Sequence, residues 1–358
     1  MHRATQAEAG DHVVERMVRQ IVYEHKPLAY VLGTQPFHPL PVDLLVRPPT
    51  LIPRPETEHW VNELTKRITA AHGDADRPDA AGKPFRILDV GTGTGCIALG
   101  LTYGLAQAWV EHPNRVQTVA VDQSEQALEL ARENTLRCGL LASSRVDNAA
   151  VLKQASEVVL QKADLFSPTF SSSVSAALPP ATASPSGTPD AGHDEVTKRF
   201  DLVVSNPPYI PLCDYLSLEA NVRDWEDRRA LVGEAPAGAL VDPAPASPGP
   251  QSQSDDGLVF YRKIVSVLHE ILAMPETVGS PEEAPVVAFE VGKGQARAVA
   301  ELLAEWRSPG KSHIRPALRL DPEIIADPWG VERAVFARWR PHVGDRDGHP
   351  RKEVGQAN

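Results

Sequence analysis

The residues best placed to do chemistry begin with a glycine-rich segment, Asp89-Val90-Gly91-Thr92-Gly93-Thr94-Gly95, directly after a short apolar run. Closely spaced glycines let the main chain pass tightly against a ligand, where a Cβ atom would clash. The spacing is GxGxG, and the third glycine of a dinucleotide fingerprint, GxGxxG, would fall on Cys96. A glycine-rich turn without function is the plain alternative. The segment predicts a ligand-binding loop that is not of the dinucleotide type.

An acid, Asp122, ends the next apolar run, about thirty residues after the glycine loop. A carboxylate at the end of a strand can accept hydrogen bonds from both hydroxyls of a ribose. Asp122 therefore indicates a nucleoside ligand, without distinguishing NAD from other nucleosides. It could instead cap the helix that Ser124 begins. Asp164, in Asp164-Leu165-Phe166, either flanks the base of such a ligand or belongs to an ordinary turn.

A second motif, Asn206-Pro207-Pro208-Tyr209, follows the apolar run 201–205. Proline fixes φ, removes a main-chain N–H donor and pushes the preceding residue into an extended conformation. The two prolines therefore predict a rigid main chain directly after a strand. The side-chain carbonyl of Asn206 and nearby main-chain carbonyls could then hold a planar NH2 group while its nitrogen faces an electrophile. Tyr209 would offer a π face to a planar amide or a cation. Taken alone, the tetrapeptide also fits a strand-ending turn.

Strands and helices that alternate along the chain would position these residues. The apolar patterns predict strands at 86–90, 116–121, 200–205, 286–290 and 334–339. They predict helices that begin near Cys96 and Ser124, and further helices over 257–273 and 295–306. This alternation implies an α/β fold with a doubly wound, mostly parallel sheet. Ligands bind at the carboxyl ends of the strands in such sheets, and the motifs above all fall there.

Composition narrows the class of protein. The 358 residues carry a formal charge of −11, which argues against binding nucleic acid chiefly by neutralising phosphates. The three cysteines lie far apart and include no CxxC pair, so neither a disulfide framework nor a metal site is expected. Residues 90–110 carry no charge, but their glycines and threonines favour a buried strand, turn and helix over a membrane span. The acids within residues 1–28 argue against a secretory signal.

Two segments, 167–195 and 234–256, consist mostly of Ser, Ala, Pro, Thr and Gly. Such segments bury too little apolar surface to offset the entropy of ordering them. We therefore expect both to be low-complexity insertions in surface loops, where added length costs little closure entropy.

Several motifs together resemble the HemK/PrmC family, the peptide-chain release factor glutamine N(5)-methyltransferases. The resemblance covers about residues 20–340, and the motifs stand in the same order as in that family. The motifs are Tyr30-Val-Leu-Gly33, Phe37, the segment 51–58 (LIPRPETE), the segment 87–95, Asn206 to Tyr209, the segment 256–262 (DGLVFYR) and Phe289-Glu-Val-Gly292. The resemblance implies a class I S-adenosylmethionine-dependent methyltransferase domain over 51–340 and an N-terminal helical, substrate-recognition segment over 1–50. About 28 residues precede Tyr30, so this segment is expected to be shortened, and 341–358 are expected to be a flexible tail.

The resemblance also implies roles for individual residues. S-adenosylmethionine would be bound by Gly91, Thr92, Gly93, Thr94, Gly95, Asp122, Leu165 and Asn206. The substrate amide would be received by Asn206, Pro207, Pro208 and Tyr209, of which Asn206, Pro207 and Tyr209 would take part in catalysis. Leu165 stands where relatives often carry a tryptophan near the adenine, so this contact departs from the family pattern.

The substrate implied is the glutamine of the GGQ loop in a class 1 release factor, with no stable binding of nucleic acid and no membrane. One alternative is methylation of an exocyclic amine of adenine or guanine, which would require a basic channel; the arginines within 223–229 are its main support. A non-catalytic scaffold with the same fold is a third possibility, and a nicotinamide dehydrogenase is disfavoured by the glycine spacing. The insertions and the PRPETE sequence resemble the mitochondrial branch of the family, so a mitochondrial location is expected, with a cytoplasmic one as the alternative.

Overall fold

The computed structural model describes residues 2–72, 84–109, 116–140, 156–179, 198–236, 256–275, 283–308 and 318–340, without the side chains of 2–11. Its N-terminal part contains a long helix, a short helix, a small antiparallel hairpin and a third helix: α1 (His2–Glu24), α2 (Leu28–Leu32), β1 (Thr34–Gln35), β2 (Leu44–Leu45) and α3 (Pro55–Ala71). Phe37 and Leu44 pack in the same apolar core as Trp60 of α3. The division of the chain at residue 50 stays a prediction.

A seven-stranded sheet forms the centre of the fold. Its strands are β3 (Phe85–Val90), β4 (Val116–Asp122), β5 (Glu157–Lys162), β6 (Leu202–Ser205), β7 (Pro285–Glu290), β8 (Leu320–Ala326) and β9 (Glu332–Trp339). Their order is β5-β4-β3-β6-β7-β9-β8. The first five are parallel, and β9 runs antiparallel to β7 and β8. The predicted mostly parallel sheet is therefore confirmed.

Helices cover both faces of this sheet. Those after α3 are α4 (Cys96–Ala108), α5 (Glu125–Arg137), α6 (Phe170–Ala176), α10 (Val259–Ile271) and α11 (Ala296–Glu305). Three short helices lie between β6 and α10 in the chain: α7 (Leu212–Tyr215), α8 (Ala220–Arg223) and α9 (Arg228–Leu231). Successive strand residues point to opposite faces, so Val203 joins the core under α10 and α11 whereas Leu202 and Val204 join the core under α3 and α4. Because helices cover both faces of the sheet, the central strands β6 and β7 are completely buried, which explains their continuous apolar runs.

The predicted strands and helices all occur, within a few residues of their expected bounds. The sequence analysis missed β5 and β8 because both lie at the edges of the sheet. Their mixed burial leaves only a weak apolar pattern. The uncharged residues 90–109 form the end of β3, the glycine loop and α4. Within the described ranges, the chain has no helix with the length and apolar character needed to span a membrane.

The expected insertion at 167–195 is wrong at its beginning. Residues 170–176 form α6, and Phe170, Val174 and Leu178 are buried in the core. These three apolar residues recur every four positions, so they form one helical face that packs on the sheet. Residues 180–195, most of the segment 234–256 and the tail 341–358 lie outside the described residues.

Candidate active site

A cleft of about 1210 Å³, measured to its open mouth, lies where β3, β4 and β6 end. It collects side chains from segments far apart in the sequence: Pro49, Thr50, Leu51, Pro53, Arg54, Thr57, residues 90–94, Cys96, Ile97, residues 121–124, Gln126, Ala127, residues 163–166, Phe170, residues 205–208, Asp227, Arg229, Ala230, Phe260 and Ile264. The carboxyl ends of parallel strands are where such folds bind ligands. The two sequence motifs therefore meet in one cleft, as predicted.

The glycine loop leaves open space above its main chain. Gly91 and Gly93 have φ values of +77° and +56°, which favour glycine, and a Cβ atom on either would meet no atom of the described residues within 4 Å. A Cβ atom on Gly95 would instead lie 3.2 Å from Leu99 Cδ1. The main-chain N–H groups of Gly91 and Thr92 both donate to the carbonyl of Val121, at 2.9 Å. The first two glycines thus leave room for a ligand, and the third allows close packing of α4.

A buried carboxylate supports this loop from below. Asp89 Oδ2 accepts hydrogen bonds from Thr92 Oγ1, at 2.7 Å, and from the N–H of Ala98, at 3.2 Å. Asp89 Oδ1 is buried and has no hydrogen-bond partner among the described residues. Burial raises the pKa of Asp89 to about 7. Asp89 does not line the cleft, so it holds the loop in shape rather than contacting a ligand there.

Asp122 lines the cleft at the end of β4. Its Oδ2 accepts from the N–H of Gly93, at 3.0 Å, and its Oδ1 accepts from the N–H of Ser124, at 2.9 Å. Burial raises the pKa of this carboxyl. The cap of α5 is Ser124 itself, whose side chain accepts from the N–H of Ala127. Since each carboxylate oxygen can accept more than one hydrogen bond, Asp122 can hold the loop and still receive ligand hydroxyls.

An apolar wall stands beside Asp122. Leu165, Phe166, Phe170 and Phe260 line this part of the cleft, and the rings of Phe166 and Phe260 meet edge to face at 5.3 Å. Such a wall suits a planar base. The sequence analysis placed Leu165 here but missed the phenylalanines. All three stood within segments it had noted, but only the packing of α6 and α10 brings them together.

The motif after β6 forms the opposite part of the cleft. Ser205 Oγ donates to the carbonyl of Val90, at 2.7 Å, which ties β6 to β3 directly below the glycine loop. Asn206, Pro207 and Pro208 line the cleft. In the part of the chain that the structure describes, the side-chain amide of Asn206 makes no hydrogen bond. Its donors and acceptor are therefore available to a ligand.

Tyr209 departs from the expected arrangement, because its side chain does not line the cleft. Its ring lies close to Gly292, where a Cβ atom would come within 2.9 Å of Tyr209 Cδ2. Burial raises the pKa of its phenol. The ring turns behind the motif because the absent side chain of Gly292 leaves room for it. A contact between Tyr209 and a substrate stays a prediction.

The segment 51–58 builds a further wall through long-range contacts. Arg54 Nη2 donates to both carboxylate oxygens of Glu226, at 2.7 and 2.6 Å, and the Glu226 side chain is fully buried. Thr57 Oγ1 donates to the buried carboxylate of Glu290, at 2.6 Å. Arg54 and Thr57 both line the cleft. The sequence analysis noted this segment only through the family resemblance, since neither acidic partner is close to it in the chain.

The arginines within 223–229 are paired with acids. Ion pairs join Arg223 to Asp224 at 2.8 Å, Arg228 to Glu234 at 2.5 Å, and Arg229 to Asp227 at 2.7 Å. Asp227 and Arg229 line the cleft, and the sequence analysis had not assigned them to it. A run of arginines neutralised in this way does not form a basic channel.

This site fits S-adenosylmethionine. Open space lies above Gly91 and Gly93, a carboxylate lies at the end of β4, and an apolar wall stands beside it. Together with the sheet order, these features define a class I S-adenosylmethionine-dependent methyltransferase.

Comparisons with known proteins identify the family. The chain is 32% identical over 315 residues to the release factor glutamine methyltransferase of Geobacter sulfurreducens, covering 88% of this chain and 74% of that protein. It is 27% identical over 326 residues to the protein of the same name in Bacillus anthracis, covering 90% and 81%. It is 30% identical over 213 residues to the mitochondrial MRF1 N(5)-glutamine methyltransferase MTQ1 of Saccharomyces cerevisiae, covering 59% and 51%. No family model matches the chain. The chain belongs to the release factor glutamine methyltransferases.

Proposed function

We propose that this protein transfers a methyl group from S-adenosylmethionine to the side-chain amide nitrogen of the glutamine in the GGQ loop of a class 1 release factor. One observation carries the proposal. The side-chain amide of Asn206, which makes no hydrogen bond to the described residues, lines the same cleft as Pro207, Pro208 and the glycine loop with its open space. Membership of the release factor glutamine methyltransferases supports the substrate.

Several residues would hold the cofactor. The main chain at Gly91 and Gly93 can approach it closely, Asp122 can accept hydrogen bonds from its ribose hydroxyls, and Phe166 and Phe260 can flank its adenine. When bound, S-adenosylmethionine supplies an electrophilic methyl group on a sulfonium centre. The residues around it fix the direction from which a nucleophile can approach.

Asn206 and Pro207 would orient that nucleophile. The lone pair of an amide nitrogen is delocalised, so glutamine is a poor nucleophile. Hydrogen bonds from its NH2 group to the Asn206 side-chain carbonyl and the Pro207 main-chain carbonyl can increase electron density on the nitrogen and stabilise positive charge as it attacks. Holding the nitrogen in line with the methyl group can supply about 7–11 kcal/mol of the barrier.

Methylation of a nucleic-acid base is the competing function. It is disfavoured because the arginines at 223, 228 and 229 are paired with acids and the whole chain carries a charge of −11. The similarity to a yeast mitochondrial enzyme supports a mitochondrial location. Microscopy of the tagged full-length chain against a mitochondrial marker would test that location.

The central test uses purified protein, S-adenosylmethionine with a labelled methyl group, and a recombinant unmethylated release factor. Mass spectrometry of the peptide that contains the GGQ loop should find one labelled methyl group on the glutamine amide. A release factor with that glutamine replaced by alanine is the matched control and should take up no label. Label in undermethylated nucleic acid, with none in the release factor, would contradict the proposal.

A further inference from the structure

Trp329 differs from the other tryptophans in being exposed. It has 79% of its surface accessible to solvent, whereas Trp60, Trp109, Trp306 and Trp339 are buried. The sixth, Trp225, is half-buried and donates its indole N–H to the carbonyl of Glu24. An exposed indole of this size offers a large apolar contact area to a partner protein.

The turn that carries Trp329 is rigid. Asp327 Oδ1 accepts hydrogen bonds from the N–H groups of Trp329, at 3.0 Å, and Val331, at 2.9 Å. Asp327 Oδ2 accepts from Arg333 Nε, at 3.0 Å. The Asp327 side chain is itself almost fully buried, with 1% exposed. The indole is therefore presented from an ordered tip, so binding to it costs little ordering entropy.

This tip lies at the same edge of the sheet as the cleft. Ala334 of β9 pairs with Glu290, the last residue of the parallel strand β7, so the turn before β9 extends beyond the carboxyl end of β7. Arg333 Nη2 forms an ion pair with Glu56 Oε1, at 3.2 Å. Glu56 lies between Arg54 and Thr57, both of which line the cleft. The hairpin is thus joined to the segment that forms the Arg54 and Thr57 wall of the cleft.

We propose that Trp329 anchors the protein substrate by packing on an apolar surface of the release factor next to its glutamine loop. The inference rests on the proposed function, since an enzyme that acts on a glutamine within a folded protein must contact that protein around the cleft. Tryptophan is enriched among the residues that dominate binding between proteins, because it supplies a large contact area from a stiff side chain. A short peptide lacks the folded surface of the release factor that would pack on Trp329.

The test compares two substrates with three full-length proteins. The substrates are an intact release factor and a short synthetic peptide containing its GGQ sequence. The proteins are the wild type, Trp329→Ala and the control Leu136→Ala, which also removes an exposed apolar side chain, but at the end of α5. For Trp329→Ala we expect KM for the release factor to rise about 10-fold or more, a typical loss for an anchor residue. Its kcat, its Kd for S-adenosylmethionine and its KM for the peptide should stay unchanged.

Each outcome has a distinct meaning. An unchanged KM for the release factor in Trp329→Ala, or an equal rise in Leu136→Ala, would overturn the docking role while leaving the proposed function intact. A wild-type protein that binds S-adenosylmethionine but methylates neither substrate would contradict the proposed function itself, and the docking role would fall with it. A concentration-dependent dimer that Trp329→Ala abolishes would assign the surface to a second copy of the chain and also overturn the inference.

Discussion

The side chain of Gln295 holds the main chain of Tyr209: Gln295 Nε2 donates a hydrogen bond of 2.9 Å to the Tyr209 carbonyl. The same NH2 group donates to the carbonyl of Asp256, at 3.0 Å, and Gln295 Oε1 accepts from the N–H of Gly292, at 3.1 Å. Gly257 also packs closely against this carbonyl group, since a Cβ atom on Gly257 would come within 2.1 Å of the Tyr209 carbonyl oxygen. Gln295 therefore joins the end of the Asn206–Tyr209 motif to the beginning of α10 and the end of β7.

Replacing Gln295 by methionine should slow catalysis without weakening cofactor binding. Methionine fills a similar volume but makes none of the three hydrogen bonds, so the motif loses its support from behind while Asp122 and the glycine loop are unchanged. We expect kcat to fall about 10-fold, which corresponds to about 1.4 kcal/mol, with Kd for S-adenosylmethionine unchanged by calorimetry. Gln295→Glu should be at least as impaired, because it sets a carboxylate against two carbonyl oxygens. Equal kcat in all three proteins would show that Gln295 does not position the motif.

Replacing Asn206 by alanine should abolish most of the activity and leave the fold unchanged. The Asn206 side chain makes no hydrogen bond to the described protein, so its removal should change the free energy of unfolding by less than about 0.5 kcal/mol. Loss of one preorganised polar contact to the reacting group should lower the single-turnover rate by about 10² to 10³-fold, or about 2.7–4 kcal/mol. Rapid-quench assays and thermal unfolding measure the two quantities. A near-normal transfer rate would exclude Asn206 from the reaction.

Alanine at Gly91 should weaken cofactor binding in addition to lowering stability. Gly139 is a matched control, because its φ of +73° is close to the +77° of Gly91 and a Cβ atom on either would meet none of the described atoms within 4 Å. Each substitution should cost about 1–2 kcal/mol of stability through backbone strain. Only Gly91→Ala should also weaken the binding of S-adenosylmethionine, by about 10-fold or more, because its new methyl group occupies the cleft. Calorimetry that finds equal affinities in the two variants would contradict this placement of the cofactor.

Asp89 should make stability depend on pH. Its pKa of about 7 in the folded protein lies above the ordinary value near 3.8, so the folded state holds its proton more tightly. Stability from this group is fully present below about pH 4 and is lost as the pH rises towards 7. Asp89→Asn should remove a slope of up to about 1.4 kcal/mol per pH unit in that window. Denaturant unfolding at several pH values measures this dependence of the free energy of unfolding on pH. Asp164→Asn, at an exposed position, is the control. Parallel pH profiles for the wild type and Asp89→Asn would show that Asp89 does not titrate in this way.

The sequence was sufficient for the units that local pattern controls. The parallel strands β3, β4, β6 and β7 were recognised by apolar runs, because burial on both faces of a sheet imposes such patterns directly. The helices α4, α5, α10 and α11 were recognised by the spacing of their apolar residues. Gly91 to Thr94, Asp122 and the prolines at 207 and 208 line the cleft, as expected from their places at the carboxyl ends of strands, whereas Gly95 does not line it. The edge strand β5 and the helix α6 were missed, since one has mixed burial and the other lies in a segment of low-complexity composition.

Only the tertiary structure decided which distant residues share a wall. Arg54 and Glu226 are separated by 172 positions, Thr57 and Glu290 by 233, and no local pattern relates the members of either pair. The tertiary structure also placed Gly292 against the ring of Tyr209. It brought the Trp329 hairpin to the same edge of the sheet as the cleft. The sequence by itself determined the central strands, four of the helices that pack beside them and the edge at which chemistry occurs, because these follow from short-range periodicity. The contacts that shape the cleft depend on how the strands are ordered in space.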